Sequence, residues 1–131
     1  MHKSRLSSFV IDCPGDLEAA ARFWSAALGR EAHVDQDDPN YRLLDHDSDE
    51  PILLLQKVAH EGRVHLDIEA DDLDAEAARL EALGAKKIAF VKRWWVMEAP
   101  TGQRFCIINP QRGPLEKRAN SWPDPKPNQK K

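Results

Sequence analysis

Two amphipathic helices are the clearest pattern in the chain. Apolar side chains recur every three or four residues in two segments, which predicts helices that each bury one face. Asp16 and Asp72 stand before these segments as N-caps, and Gly29 and Gly84 follow them as residues suited to a left-handed C-terminal turn. The apolar positions are Leu17, Ala20, Phe23, Trp24, Ala27 and Leu28 in the first segment, and Leu73, Ala77, Leu80 and Leu83 in the second. We expect each helix to cover a core on one side only.

Short segments typical of strands surround the helices. One precedes each helix, and within Val64–Ala70 apolar residues alternate with polar ones, which indicates a half-buried strand. Three more follow each helix, separated by turn-forming residues such as Asp37–Asn40. The predicted strands are residues 6–12, 32–34, 41–44 and 52–58 in the first half, and 64–70, 87–91, 94–98 and 104–109 in the second. The predicted unit is βαβββ, present twice.

The sequence itself repeats. Asp16-Leu17-Glu18-Ala19 reappears as Asp72-Leu73-Asp74-Ala75, and the offset along the repeat drifts between 55 and 57 residues. A single-residue insertion and a deletion explain that drift. We therefore predict one α/β (α+β) domain over residues 1–110, in which module one covers about 5–58 and module two about 63–110.

Residues 111–131 form a Pro/Lys-rich C-terminal tail in which we expect no regular structure. The tail has six basic and two acidic side chains but no dense basic block, which favours a solvated extension over a nucleic-acid arm. Trp122 is expected to anchor the tail on the domain surface, because an indole is unusual in a wholly free segment.

Composition narrows the class of protein. A chain of 131 residues with 41% hydrophobic residues and a net charge of -3 is typical of a globular domain with one core and no nucleic-acid partner. The longest apolar run near the start, Phe9–Ile11, is too short for a signal-peptide core or a membrane span, so we expect a cytoplasmic protein with no membrane partner. Cys13 and Cys106 are expected to be free thiols. The sequence lacks a Gly-rich phosphate loop, a Gly-x-Ser-x-Gly elbow and a Cys-x-x-Cys pair.

The repeat and its motifs resemble the vicinal oxygen chelate superfamily, which includes glyoxalase I, extradiol dioxygenases and bleomycin-resistance proteins. Asp-Leu opens each helix, Leu-Gly closes it, and the resemblance covers about residues 5–110. Val64–Ile68 and Ala99–Cys106 resemble in particular its small glyoxalase-like subgroup. The resemblance implies paired βαβββ modules whose curled sheets form a cup for a small-molecule ligand. It also implies a homodimer, and in the metalloenzymes a divalent metal held by His, Gln or Glu.

Carried over residue by residue, the resemblance supplies only part of a metal site. His65 falls at a ligand position, whereas the offset of 57 residues places Ser8 where the metalloenzymes have a second His or Gln. The position of the family's Glu is Cys106, and its counterpart in module one falls near Leu54 or Gln56. Because only His65 matches, we expect no complete metal site. A divalent metal bound by His65 is the less favoured alternative.

His65 is the predicted catalytic residue, either as a general base or as a metal ligand, since imidazole titrates near neutrality. The alternative is a hydrogen-bonded histidine that lines a pocket or pairs with Asp67 or another acid. Trp94 and Trp95 present one indole on each face of their strand, and we assign Trp95 to the cup. The predicted substrate-binding residues are Ser8, Gln56, Trp95 and Cys106. The alternative that both indoles fill the core stays open.

Two functions follow from the resemblance. One is a glyoxalase-like lyase or isomerase that binds a small polar or aromatic metabolite. The other is a non-catalytic protein of the bleomycin-resistance type that sequesters its ligand, and the acidic charge of residues 1–110 is compatible with a cationic guest.

Overall fold

The computed structural model describes residues 1–47, 49–115 and 118–124. The described residues form two helices and nine strands. The helices are α1 (Leu17–Leu28) and α2 (Leu73–Ala82), and the strands are β1 (His2–Cys13), β2 (Ala32–Val34), β3 (Tyr41–Leu44), β4 (Ile52–Lys57), β5 (Arg63–Ala70), β6 (Lys86–Val91), β7 (Trp94–Glu98), β8 (Arg104–Ile108) and β9 (Asn120–Trp122). Neither helix is long and apolar enough to cross a membrane.

The predicted βαβββ order is confirmed. It appears once as β1-α1-β2-β3-β4 and again as β5-α2-β6-β7-β8. Most boundaries agree with the sequence pattern to within one or two residues, but β1 begins at His2 rather than Leu6. Both predicted N-caps are present, because the Asp16 carboxylate accepts a hydrogen bond from the Glu18 amide and that of Asp72 from the Ala75 amide.

The chain divides into two compact units, which we call the first unit (Ser7–Asp67) and the second unit (Met1–Leu6 with Ile68–Lys131). In the first unit the strand order is β2-β3-β4-β1, with β1 parallel to β4 and the other pairs antiparallel. In the second unit the order is β8-β7-β6, and β9 pairs with the start of β1.

A small apolar core underlies the helix of each unit. Buried residues of the first core come from β1, α1, β3 and β4, and those of the second from β5, α2, β7 and β8. Burial of these side chains supplies the main driving force for docking each helix on its sheet. The buried members are Cys13, Leu17, Ala21, Leu44 and Leu55 in the first unit, and Ala70, Ala77, Met97 and Ile107 in the second.

The C-terminal segment corrects one prediction. Asn120–Trp122 form β9, antiparallel to His2–Ser4, in a region for which the sequence indicated no regular structure. The expected anchor explains the strand: the Trp122 indole N–H donates to Ser4 Oγ at 2.9 Å, and the Arg79 guanidinium lies 3.8 Å from the ring centroid. Residues 116, 117 and 125–131 of the predicted tail lie outside the described residues.

Candidate functional site

The register between β1 and β4 decides which side chains share a face of the first unit. Ser8 pairs with Ile52, Val10 with Leu54 and Asp12 with Gln56. The intervening residues, which include Ile11, Cys13, Leu53 and Leu55, pack in the core with α1. Because side chains alternate along a strand, Ser8, Val10, Asp12, Leu54 and Gln56 lie on the face opposite α1.

His65 lies between two acidic side chains on this unit. Its Nδ1 atom is 3.1 Å from Oδ2 of Asp12, and its Nε2 atom is 3.5 Å from Oδ1 of Asp67. Only 13% of the His65 side chain and 2% of the Asp12 side chain are exposed. The histidine is therefore paired with acids, as one of the two sequence interpretations expected, and Asp12 joins Asp67 as a partner.

Both carboxylates keep an oxygen without a hydrogen bond. Asp12 Oδ1 and Asp67 Oδ1 are buried and have no hydrogen-bond partner in the described part of the chain. Burying a charged group without a partner costs several kcal/mol in principle, so native proteins rarely keep such atoms without a use for them. A proton, a cation or a donor group of a ligand would satisfy them. This pair of oxygens is the strongest sign of a site in the first unit.

Two basic side chains, those of Arg63 and His60, flank Asp12. The Arg63 Nε atom lies 3.6 Å from Asp12 Oδ2, and the His60 Nε2 atom lies 3.9 Å from it. Both side chains are about half exposed, so they face solvent beside the buried acid. Of the two, Arg63 carries a permanent positive charge.

A cleft of about 400 Å³ adjoins these residues on the α1 side. Its wall includes Ile11, Trp24 and Val64, with Arg63 at its border. Cys13 also borders the cleft, and burial raises the pKa of its thiol. The thiol therefore stays protonated near neutral pH, which argues against a nucleophilic role.

Three of the predicted site residues belong to the first unit. Gln56 is the β4 neighbour of Asp12, and His65 contacts Asp12 directly. Ser8 is fully buried, and its hydroxyl lies 3.0 Å from that of Ser7. The binding role of Ser8 stays a prediction.

Trp95 and Cys106 belong to the second unit, and the placement predicted for Trp95 was wrong. Trp95 packs with the core residues beneath α2, and its indole N–H donates to Asp74 Oδ1 at 2.9 Å. The alternation along β7 puts Trp94 on the opposite face, together with Val96, whose register partner on β8 is Cys106. Both Trp94 and Cys106 are partly buried.

Sequence reasoning missed Asp12 and Arg63. Arg63, His65 and Asp67 alternate along β5 and so share one face, a signal that the pattern Arg-x-His-x-Asp carries in the sequence. Asp12 has no such local signal, because its role depends on strand pairing.

The donor atoms beside His65 fit one side of a divalent metal site. His65 Nε2 and Asp67 Oδ1 are close enough to bind one ion, and Asp67 Oδ1 lacks another partner in the described part of the chain. Asp12 on Nδ1 corresponds to the outer carboxylate that orients many metal-binding histidines. A second group, formed by Glu31, His33 and Asp45, has ligand atoms within 4.8 Å of one another, but it is exposed, and a 2.7 Å contact between His33 and Asp45 accounts for its geometry.

The fold of the described residues is that of a glyoxalase-like domain. The family model described as a glyoxalase-like domain matches residues 8–108, and the chain belongs to this family. No curated protein matches the chain.

Solved structures share the fold at low sequence identity. The Mn(II)-bound glyoxalase from Novosphingobium aromaticivorans is 21% identical with a TM-score of 0.55, and the match covers 78% of this chain and 37% of that one. Methylmalonyl-CoA epimerase from Mycobacterium tuberculosis is 19% identical with a TM-score of 0.55, covering 81% and 87%. An extradiol ring-cleaving dioxygenase from B. fuscum is 20% identical with a TM-score of 0.54, covering 80% and 32%. The chain thus spans about a third of the glyoxalase and dioxygenase chains and most of the epimerase chain.

Proposed function

We propose that this protein is a glyoxalase-like lyase or isomerase in which His65 moves a proton on a small polar carbonyl metabolite. The observation that carries the proposal is the position of the His65 ring between Asp12 and Asp67, each with one buried oxygen that accepts no hydrogen bond from the described residues.

Asp12 would act as the positioning residue. A carboxylate can only accept, so the 3.1 Å contact assigns the proton to Nδ1 and directs the lone pair of the neutral ring to Nε2. In that tautomer Nε2 is the basic atom. After it takes a proton from a substrate carbon, Asp67 would stabilise the imidazolium that results.

A divalent metal is compatible with the same residues. His65 Nε2 and Asp67 would hold it, so that Nε2 would then be a ligand and not the base, and when bound it would stabilise negative charge on a substrate oxygen. The role of Asp12 in fixing the ring orientation is the same with or without the ion.

Arg63 and His60 favour a substrate that carries a carboxylate or a similar anionic group. Both lie beside Asp12 on the solvent side, and the Arg63 guanidinium offers several donors in a planar fork. If that anion were bound by Arg63, a substrate carbon a few bonds away from the anion would lie beside His65.

Exchange of carbon-bound hydrogen with solvent tests the proposal directly. The purified protein in heavy water would be incubated with the methylglyoxal-glutathione hemithioacetal and with a panel of 2-oxo and 2-hydroxy acids, each with and without added Mn²⁺, and deuterium incorporation followed by mass spectrometry. We expect incorporation with at least one compound and a loss on the order of 10² to 10⁴ in His65→Gln. His33→Gln is the matched control, because His33 also contacts an aspartate but is exposed.

The panel also separates catalysis from sequestration. A compound that raises the melting temperature in a saturable manner, with no exchange and no product, would favour the non-catalytic binder. Exchange that survives unchanged in His65→Gln would refute the role given to the histidine.

A further inference from the structure

Strand β6 is an exposed edge of the second unit. It is the last strand in the order β8-β7-β6, and in the described part of the chain it pairs only with β7. All six of its residues are exposed. The outer side of such a strand presents backbone N–H and C=O groups that are available for pairing with another chain.

The middle of β6 is apolar. Ile88 is 42% exposed, Phe90 52% and Val91 39%, and Ala89 lies among them. Phe90 stands edge-on to the Trp95 ring at 5.1 Å, so the aromatic side chain is held in place at the surface. Natural edge strands are commonly protected by lysines, bulges, prolines or inward-pointing charges. β6 begins with two lysines and has an irregular register between Lys87 and Ala89, whereas Ala89–Val91 contains neither a charge nor a proline.

Both ends of β6 are basic. Lys86 and Lys87 begin the strand, and Lys92 and Arg93 form the turn that follows it, with no acidic residue between 86 and 93. This local charge is opposite in sign to the net charge of -3 of the whole chain. The strand is thus an apolar segment bracketed by positive charge.

Much of this positive charge is not neutralised within the second unit. Lys86 and Arg93 form no ion pair with the described residues, and Glu98, the register partner of Lys86, is held by Arg104 at 3.0 Å. Lys87 lies 3.8 Å from Glu81, at the limit of an ion pair, and its ammonium group sits 4.6 Å from the Trp95 ring centroid.

A second copy of β6 is a poor partner for this edge. In an antiparallel pair of β6 strands, Lys86 and Lys87 of one copy would lie beside the Lys92-Arg93 turn of the other. In a parallel in-register pair, each lysine would lie beside its own counterpart. Like charges directly opposite one another destabilise a strand pair. The charge pattern instead suits a segment with acidic ends.

We infer that β6 binds an extended protein segment that has an apolar centre and acidic flanks, which adds to the sheet as a further strand. Backbone hydrogen bonds along the edge would hold the segment, the exposed side chains of Ile88, Phe90 and Val91 would cover its apolar centre, and the basic ends would select its charge. This interaction is independent of the chemistry at His65.

A synthetic peptide provides the test. The probe is a fluorescein-labelled peptide with alternating valine and threonine at its centre and two aspartates at each end, titrated with the full-length protein at low salt and followed by fluorescence anisotropy. We expect saturable binding, about tenfold weaker binding of a peptide with lysine flanks, and weakening by added salt. Amide shifts confined to β6 and β7 in NMR spectra would locate the contact.

Matched variants make the test specific. Lys86→Glu should weaken binding about fivefold or more, whereas Arg22→Glu, the same charge change at an exposed position of α1, should leave it within about twofold. Ile88→Ser keeps the charges and should also weaken binding, so the proposal can be judged even if one variant fails to fold. The proposal would be overturned by equal affinity for the two peptides or by a lack of saturable binding. It would also be overturned by concentration-dependent dimerisation with shifts confined to β6, which would make a second copy of the chain the partner.

Discussion

Asp12 and His65 lie 53 residues apart in sequence, yet Oδ2 of the first is 3.1 Å from Nδ1 of the second. The other oxygen of Asp12 is buried and has no hydrogen bond to the described residues. One carboxylate thus both orients the imidazole and retains an unsatisfied acceptor. Most of the chemistry proposed for this protein depends on that contact.

Asp12→Asn should therefore impair catalysis more than folding. The amide of asparagine can present either a donor or a neutral acceptor to Nδ1, so the His65 ring loses its fixed tautomer. We therefore expect kcat to fall on the order of 10²-fold, with a smaller change in KM. A change in the ¹⁵N shifts of the His65 ring would show that the effect passes through the histidine. Asp45→Asn, which alters the exposed partner of His33, should leave kcat unchanged; wild-type kinetics in Asp12→Asn would contradict the proposed mechanism.

Stability should fall in acid because of Glu76. Burial raises the pKa of this carboxyl, but hydrogen bonds from Arg79, His2 and Ser4 lower it more, so it titrates below its ordinary value. Because the pKa is lower in the folded state than in the unfolded state, this stabilisation is complete above the unfolded value and disappears as pH falls through the folded one.

Glu76→Gln tests this linkage. We expect the variant to be about 3 to 5 kcal/mol less stable near neutral pH, with a weaker dependence of melting temperature on acid pH than the natural protein. Glu81→Gln, at an exposed position on the same helix, should keep the natural acid slope. An undiminished slope in Glu76→Gln would show that other carboxyl groups govern acid unfolding.

Trp122 should stabilise the second unit through its indole. Trp122→Ala removes both the hydrogen bond to Ser4 and the stacking with Arg79, and we expect a loss of about 1 to 3 kcal/mol in the free energy of unfolding. Trp122→Phe keeps a ring for stacking and should lose less. Ser121→Ala, at the exposed neighbouring position of β9, should have almost no effect on the free energy of unfolding measured with denaturant. If Ser121→Ala and Trp122→Ala were equally destabilised, Trp122 would not be the anchor of this segment.

Two glycines allow backbone strain to be separated from crowding. Gly84 has φ 109° and a Cβ there would lie 3.1 Å from Pro100 Cγ, whereas Gly102 has φ 96° and open space around it. Both alanine variants should be destabilised by roughly 1 to 2 kcal/mol because of the positive φ. Gly84→Ala should lose more of the free energy of unfolding than Gly102→Ala, because its new Cβ also crowds Pro100. If chemical denaturation showed equal losses, Pro100 would be moving aside at little cost.

Local patterns predicted most of the fold. The helices follow from the spacing of apolar residues and from Asp16 and Asp72 as caps, and β5 follows from strict alternation over a few residues. These signals lie within one element, so the sequence displays them directly. The strand at Asn120–Trp122 was missed because its stability comes from pairing with His2–Ser4, more than a hundred residues away.

The candidate site was only partly predictable for the same reason. His65 was found through a motif, but Asp12 joins it only because strand pairing brings β1 beside β4 and β5. Alternation along the strand placed Trp94 and Trp95 on opposite faces of the sheet but did not say which of them faces the helix. The hydrogen bond from Trp95 to Asp74 of α2 shows that Trp95 does. The homodimer, the cytoplasmic location and the domain boundaries stay predictions.

The repeat adds a final contrast, because Glu69 stands 57 residues after Asp12, the offset that relates His65 to Ser8. Glu69 is fully buried and satisfied by Arg5 and by the Gln111 amide at 2.7 Å, whereas Asp12 is left with an acceptor to spare. The two positions that the repeat relates thus differ in how fully their carboxylates are hydrogen-bonded. In a mutant library selected for folding alone, we expect Glu69 to be retained and Asp12 to accept many substitutions. When the library is selected for activity, Asp12 should be retained as well.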